Sequence, residues 1–183
     1  MRLVIGRLNS LAFIVLTLTL LLFIFLLIPK FGVNPLQEDI KLLDIRFWYT
    51  PIDAFHLFSQ LGVDGRDAYR FFTVSIDLLY PLVYGFWFYY SLGFMLKKTC
   101  PPKTKLKTLR LIPFGIVLFD YIENLNILHL LYTFPQINEI SVHIGAIATF
   151  SKWIFTILTI LILIIAILTV CAKSISTLKT KIL

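Results

Sequence analysis

The 183-residue chain is 58% hydrophobic with a mean hydropathy of +0.88, well above the apolar share of about 45–50% found in soluble domains. These values predict an integral membrane protein surrounded by lipid. The formal charge of +7 would suit nucleic acid in a soluble protein, but no basic patch interleaved with aromatics lies outside the apolar runs and no Gly-rich phosphate loop follows a strand, so no nucleic-acid partner is expected.

A membrane helix needs about 20 apolar residues. Four stretches qualify: residues 8–28, 67–96, 109–132 and 143–172. The first follows Arg2 and Arg7 and is expected to stop at Pro29. Its apolar core is longer than the roughly 7–15 residues of a signal-peptide core, and no small-x-small cleavage site follows, so it reads as an uncleaved anchor.

Residues 29–66 form the sizeable loop, and within it "YTPIDAFHLFSQLG" predicts a short extracytoplasmic helix. Thr50 suits the N-cap, Pro51 the first helical position, Asp53 a Thr-x-x-Asp start and Gly62 a left-handed C-terminal position. Ile52, Phe55, Phe58 and Leu61 recur near helical spacing, so this helix is expected to lie on the outer interface or cap the bundle, with Trp48 and Tyr49 just before it. "VDGRDAY" reads as a turn before a second span starting at Asp67. The Pro-broken "KKTCPPKTKLK" and the short "TFPQINEIS" then join antiparallel neighbours. The predicted fold is all-α: a single membrane domain over residues 1–183, an up-down bundle of four transmembrane helices.

Lys and Arg set the orientation. Arg2 and Arg7, the run Lys97, Lys98, Lys103, Lys105, Lys107 and Arg110, and the tail Lys173, Lys179 and Lys181 lie in segments without Asp or Glu. The first loop mixes both signs, Glu38 and Asp39 included, and the third carries only Glu139. Both termini are therefore expected in the cytoplasm, with the protein in the inner (plasma) membrane. Cys100 and Cys171 fall on that reducing side as free thiols and match no metal or redox spacing; no cofactor or metal is expected.

The polar residues inside the spans carry the chemistry. On the second span Arg70, Thr73, Asp77, Tyr80, Tyr84 and Ser91 recur at intervals of three, four and seven, forming one polar face. On the third, Asp120, Glu123 and Asn124 are helical neighbours, with Asn126 and His129 winding away from them. On the fourth, Lys152, Thr156 and Thr159 form a shorter stripe. By helical rise, Asp77 and Glu123 lie roughly 10–15 Å below the outer boundary, with Asp120 deeper. Pro81 cannot donate to the Asp77 carbonyl, which predicts a kink opening room beside the carboxylate.

An ionised carboxylate at the bilayer centre costs about 2.5–3.5 kcal/mol on insertion scales, so these acids are expected to face inward, protonated or paired. Only Lys152 and Arg70 are cations within reach. Asp77, Glu123 and Lys152 are expected to converge, with Asp120 and Asn124 beneath them and Tyr80 or Tyr84 bonded to one carboxylate. Interhelical hydrogen bonding alone, worth about 0.6–2 kcal/mol per bond, is the competing structural reading of the same cluster.

"LLDIRFWYTPIDAFHLFSQLGVDGRDAYRFF", "DLLYPLVYG", "IPFGIVLFDYIENLNIL" and "FSKW" together resemble a group of small bacterial four-helix integral membrane proteins that carry no assigned function. The resemblance covers most of the chain in matching order. It implies the four-helix architecture and offers no activity.

Three functions compete. The first is binding or passage of a proton, a cation or an amine-bearing small ligand through an acidic pocket formed by Asp77, Tyr80, Tyr84, Asp120, Glu123, Asn124 and Lys152. The second is a membrane-embedded lipid-modifying enzyme using Asp77 and Glu123 as acid and base, with no Ser-His, zinc or phosphate-binding motif to name the reaction. The third is an accessory subunit that binds a partner through Trp48, Tyr49 and Phe55.

Overall fold

The structure, a computed structural model, describes residues 2–31, 41–101 and 104–182, with side chains over 11–30, 41–101 and 104–175. Glu38, Asp39 and Lys103, and the side chains of Arg2, Arg7, Lys179 and Lys181, lie outside the described residues. The described chain is all-helical, and four stretches are long and apolar enough to cross a membrane: Leu11–Lys30, Pro51–Thr99, Lys105–Thr133 and Glu139–Ile175.

Helix α1 (Arg2–Leu22) passes through a π turn (Phe23–Leu27) into the short α2 (Ile28–Phe31). The expected stop at Pro29 is therefore not seen. The Ile28 N–H bonds the Phe23 carbonyl, so the hydrogen-bond ladder is already offset by one residue when it meets the proline that cannot donate.

A 3-10 turn (Leu43–Ile45) leads to α3 (Pro51–Thr99). Its start follows local chemistry. Thr50 Oγ1 accepts from the Asp53 N–H (3.3 Å) and Asp53 Oδ2 accepts from the Thr50 N–H (2.8 Å), a reciprocal cap with Pro51 just inside. The expected turn over "VDGRDAY" is corrected: only Gly62 leaves helical geometry (φ +62, ψ −169), and the helix resumes at once, four residues before Asp67. Glycine accepts that positive φ, and Arg66 Nη1 donates to the Phe58 carbonyl (2.8 Å), one of the carbonyls left at the end of the first segment.

The segment before Gly62 caps one end of the bundle. Ala54, Leu57, Phe58 and Leu61 pack with Ile127 and Val142 in the core, while Ile52 (70% exposed) and Phe55 (44%) point away. The expected face was thus rotated. A small Ala54 lets the backbone approach the helix ends below, which the wider stripe through Ile52 and Phe55 does not.

A 3-10 segment (Lys105–Leu111) precedes α4 (Pro113–Thr133), which starts later than residue 109 because Pro113 opens its first turn. After a connection holding a cis Phe134–Pro135 bond, α5 (Glu139–Ile182) runs longer than expected at both ends. Helix α4 packs on both α3 and α5, and α3 also meets α5. Helix α1 packs on α3 and, among the described residues, makes no substantial contact with α4 or α5. Phe13 stacks near Trp87 (6.0 Å between ring centroids) and Phe23 near Tyr80 (5.6 Å), so α1 runs antiparallel to α3.

Candidate functional site

Lys152 is the hub. Its ammonium lies 3.0 Å from Asp120 Oδ1, pairs with Glu123 Oε2, and donates to the Asp44 backbone carbonyl at 3.1 Å. Three acceptors match the three N–H donors of the ammonium. Asp120 and Glu123 reach one lysine because they are i and i+3 on α4. Glu123 is fully buried, and its other oxygen accepts from Thr149 Oγ1. The second oxygen of Asp120 accepts from Tyr84 Oη at 2.7 Å. A charge removed from water needs such a saturated shell to persist.

Asp77 is placed differently from expectation. It faces the same space, but Lys152 pairs with Asp120 and Glu123, and no cation forms an ion pair with Asp77 among the described residues. Arg70 is engaged elsewhere, with Asp67 (2.5 Å) and over the Tyr132 ring (5.2 Å). Tyr80 packs edge-on against Tyr84 (5.1 Å), and His129 is exposed.

Pro81 does leave the Asp77 carbonyl without its helical donor. The side-chain amide of Asn124 supplies the replacement, donating to that carbonyl at 3.1 Å. With the acceptor satisfied, α3 keeps helical backbone angles through Pro81, and Gly62 is the residue of α3 that leaves them.

The loop before α3 contributes residues that the sequence did not single out. Asp44 Oδ1 accepts from Tyr69 Oη (2.8 Å), while its own carbonyl receives Lys152. Trp153 Nε1 donates to the Arg46 carbonyl (3.0 Å), and Phe47 lies against the Trp153 ring (5.1 Å). This short stretch is therefore clamped onto α5 over the site. Burial raises the carboxyl pKa of Asp44 above its ordinary value, outweighing Lys152 and the Tyr69 hydrogen bond, which pull it down. Burial also raises the Tyr49 hydroxyl, helped by the negative charge of Glu123. Asp44 sits in a loop with no period to mark it. Thr149 had a signal, lying one turn before Lys152 on the stripe that continues to Thr156.

A cleft of about 500 Å³ opens beside the hub. Asp44, Asp77, Asp120 and Lys152 supply its polar wall. Tyr80, Tyr84, Trp87 and Phe88 of α3 line a second side, Leu20 of α1 and Ile24 of the π turn a third, and Trp153 and Thr156 of α5 much of the rest. Its size falls in the range of about 300–1,000 Å³ typical of small-molecule sites. Four carboxyls, with Glu123 just behind the wall, surround a single ammonium. Protons or an added cation must balance the excess. Among the described residues no three His, Cys, Asp or Glu side chains come together as a metal site, and the Lys152 ammonium fills the centre of the Asp120–Glu123 pair.

The chain matches no family model, no curated protein and no solved structure.

Proposed function

We propose that the protein is a polytopic inner (plasma) membrane protein, an up-down bundle with both termini cytoplasmic, whose cleft binds a small amine in its protonated form. Large apolar residues on the outward faces, among them Phe25 (75% exposed), Ile165 and Leu168 (63% each), support lipid as the surrounding medium. The orientation rests on the basic segments, and one contact supports their grouping: Lys173 Nζ donates to the Thr99 carbonyl (3.0 Å), bringing the α5 tail beside the basic end of α3.

The observation that carries the ligand reading is the cleft itself, where an Asp77 with no ion-pair partner among the described residues and an excess of carboxyls meet aromatic walls. An organic ammonium gains from both, through ion pairing with a carboxylate and attraction to the faces of Tyr80 and Tyr84. A proton fills the same charge deficit when the site is empty.

Equilibrium dialysis of labelled benzylamine against the full-length protein in lipid nanodiscs tests this. Saturable binding is expected, lost in Asp77→Asn and kept in Asp64→Asn, whose side chain is exposed and remote from the cleft. Absence of saturable binding by the unaltered protein removes the reading. The lipid-enzyme alternative loses its expected pair, because Glu123 is wholly buried and holds Lys152 and Thr149, leaving the hydrogen-bonded Tyr84 and Asp120 as the acid and base nearest the cleft. An altered lipid profile in a deletion strain, reproduced by Tyr84→Phe, would favour that alternative.

A further inference from the structure

We infer that the ligand is a single-chain ammonium amphiphile taken from the bilayer, its headgroup between Asp77 and Asp120 and its alkyl chain running past Leu20 of α1 toward Trp87 and Phe88 of α3. The inference rests on the amine-binding reading above and adds the tail and the route.

The shape of the cleft argues for a tail. Along α3 the lining runs from Asp77 through Tyr80 and Tyr84 to Trp87 and Phe88, roughly 16 Å at helical rise. A headgroup occupies only the first part of that length. The polarity is graded in the same direction: Asp44, Asp77 and Lys152 lie at the end under the clamped loop, and Trp87 and Phe88 at the other, with Leu20 between them. An amphiphile with its ammonium toward the loop matches the grading, whereas a compact amine leaves the apolar end unfilled.

The route follows from how α1 is attached. Trp87 Nε1 donates to Thr17 Oγ1 (3.0 Å), and Phe13 and Phe23 lie against Trp87 and Tyr80, so among the described residues α1 is attached chiefly to α3. Helix α5 supplies the facing wall through Trp153 and Thr156, with no substantial contact on α1 among the described residues. Ile24 lines the cleft and is nevertheless 41% exposed, as a residue at a side opening would be. The opening lies between two outward apolar faces, where alkyl chains of lipid reside. Tyr80 and Trp87 thus serve twice, lining the cleft and holding the wall that α1 and its π turn supply.

Displacement of labelled benzylamine from the full-length protein in nanodiscs by butylamine, octylamine and dodecylamine tests the inference, with dodecanol as a tail without charge. Affinity is expected to rise by at least about tenfold from butyl to dodecyl, far less than the added methylenes would supply together at roughly fourfold each if fully buried. Partition into the nanodisc also favours longer chains, so the decisive comparison is Leu20→Trp, which narrows the path of the tail and leaves partition unchanged. Leu20→Trp should lower the ratio of dodecylamine to butylamine affinity toward the ratio set by partition alone. Leu20→Ala, which cannot overpack, should lower it in part. Dodecanol should displace nothing. An identical chain-length dependence in the unaltered protein and both variants, or displacement by dodecanol equal to that by dodecylamine, overturns the amphiphile while benzylamine binding stands. Failure of benzylamine itself to bind overturns the amine reading on which it rests.

Discussion

At the scale of single residues, the site is governed by what a buried charge requires. Lys152→Met strips the partner from Asp120 and Glu123 together and leaves the Asp44 carbonyl without its donor. Stranding a buried charge in this way costs about 3–5 kcal/mol. Adding Glu123→Gln removes the most deeply buried of those charges, so the double variant should regain part of the lost thermal stability in mild detergent. A double variant no more stable than Lys152→Met alone would show that the pair does not hold the helices together. Asp44 gives a prediction in pH. Its folded pKa is raised above the ordinary value of 3.8, so the stability it contributes is fully present below that value and is lost as pH rises through the folded one. Asp44→Asn should flatten the stability-pH curve in this window. Tyr69→Phe removes a hydrogen bond that favours the ionised form and should move the window to higher pH. A Tyr69→Phe curve shifted to lower pH would contradict the assignment.

At the scale of elements, α3 carries two irregularities handled in opposite ways. Pro81 lies within helical backbone because Asn124 takes over the missing donor, whereas Gly62 breaks the helix at a single residue and folds the Pro51–Leu61 segment over the end of α4 and α5. A Cβ at Gly62 would meet no neighbour, so Gly62→Ala is opposed by backbone conformation alone, at a cost of about 1–3 kcal/mol. It should raise hydrogen exchange across residues 51–61 and leave α4 protected; unchanged exchange would mean that the break is not needed to seat the cap. The start of this helix was legible from Thr50, Pro51 and Asp53 because capping is local chemistry. The continuity after Gly62 was not, because "VDGRDAY" is turn-like in composition and what carries the helix on is a contact from Arg66 back to Phe58. The site shows the same division. Helical spacing placed Asp120, Glu123 and Asn124 on one face, and Pro81 marked the free carbonyl. Rise along an axis gives depth without rotation about it, so the choice of Asp120 over Asp77 by Lys152 could not be read. Asp44 stayed hidden because it reaches the site from a loop.

At the scale of the whole molecule, orientation decides what the cleft can meet. Phe13 lies near Trp87 and Phe23 near Tyr80, so the N-terminal end of α1 points along the same direction as the C-terminal end of α3. Lys173 beside Thr99 brings the tail of α5 there as well. The basic segments around residues 97–110 and after 172 thus gather at one end of the bundle, and the acid-bearing first loop and the α4–α5 connection at the other. The proposed orientation, with positive charge retained on the cytoplasmic side, puts Cys100 inside and Gln136 outside. Gln136 is exposed and suits labelling better than Asn138, whose Oδ1 accepts from the Ser141 N–H at the start of α5 (3.1 Å). In a Cys171→Ser background, a membrane-impermeant maleimide should label Gln136→Cys in intact cells and reach Cys100 only after permeabilisation. Labelling of Cys100 in intact cells would invert the molecule. The loop clamped over Lys152 by Asp44 and Arg46 would then face the cytoplasm, and an amphiphile seated head-first toward it would come from the inner leaflet.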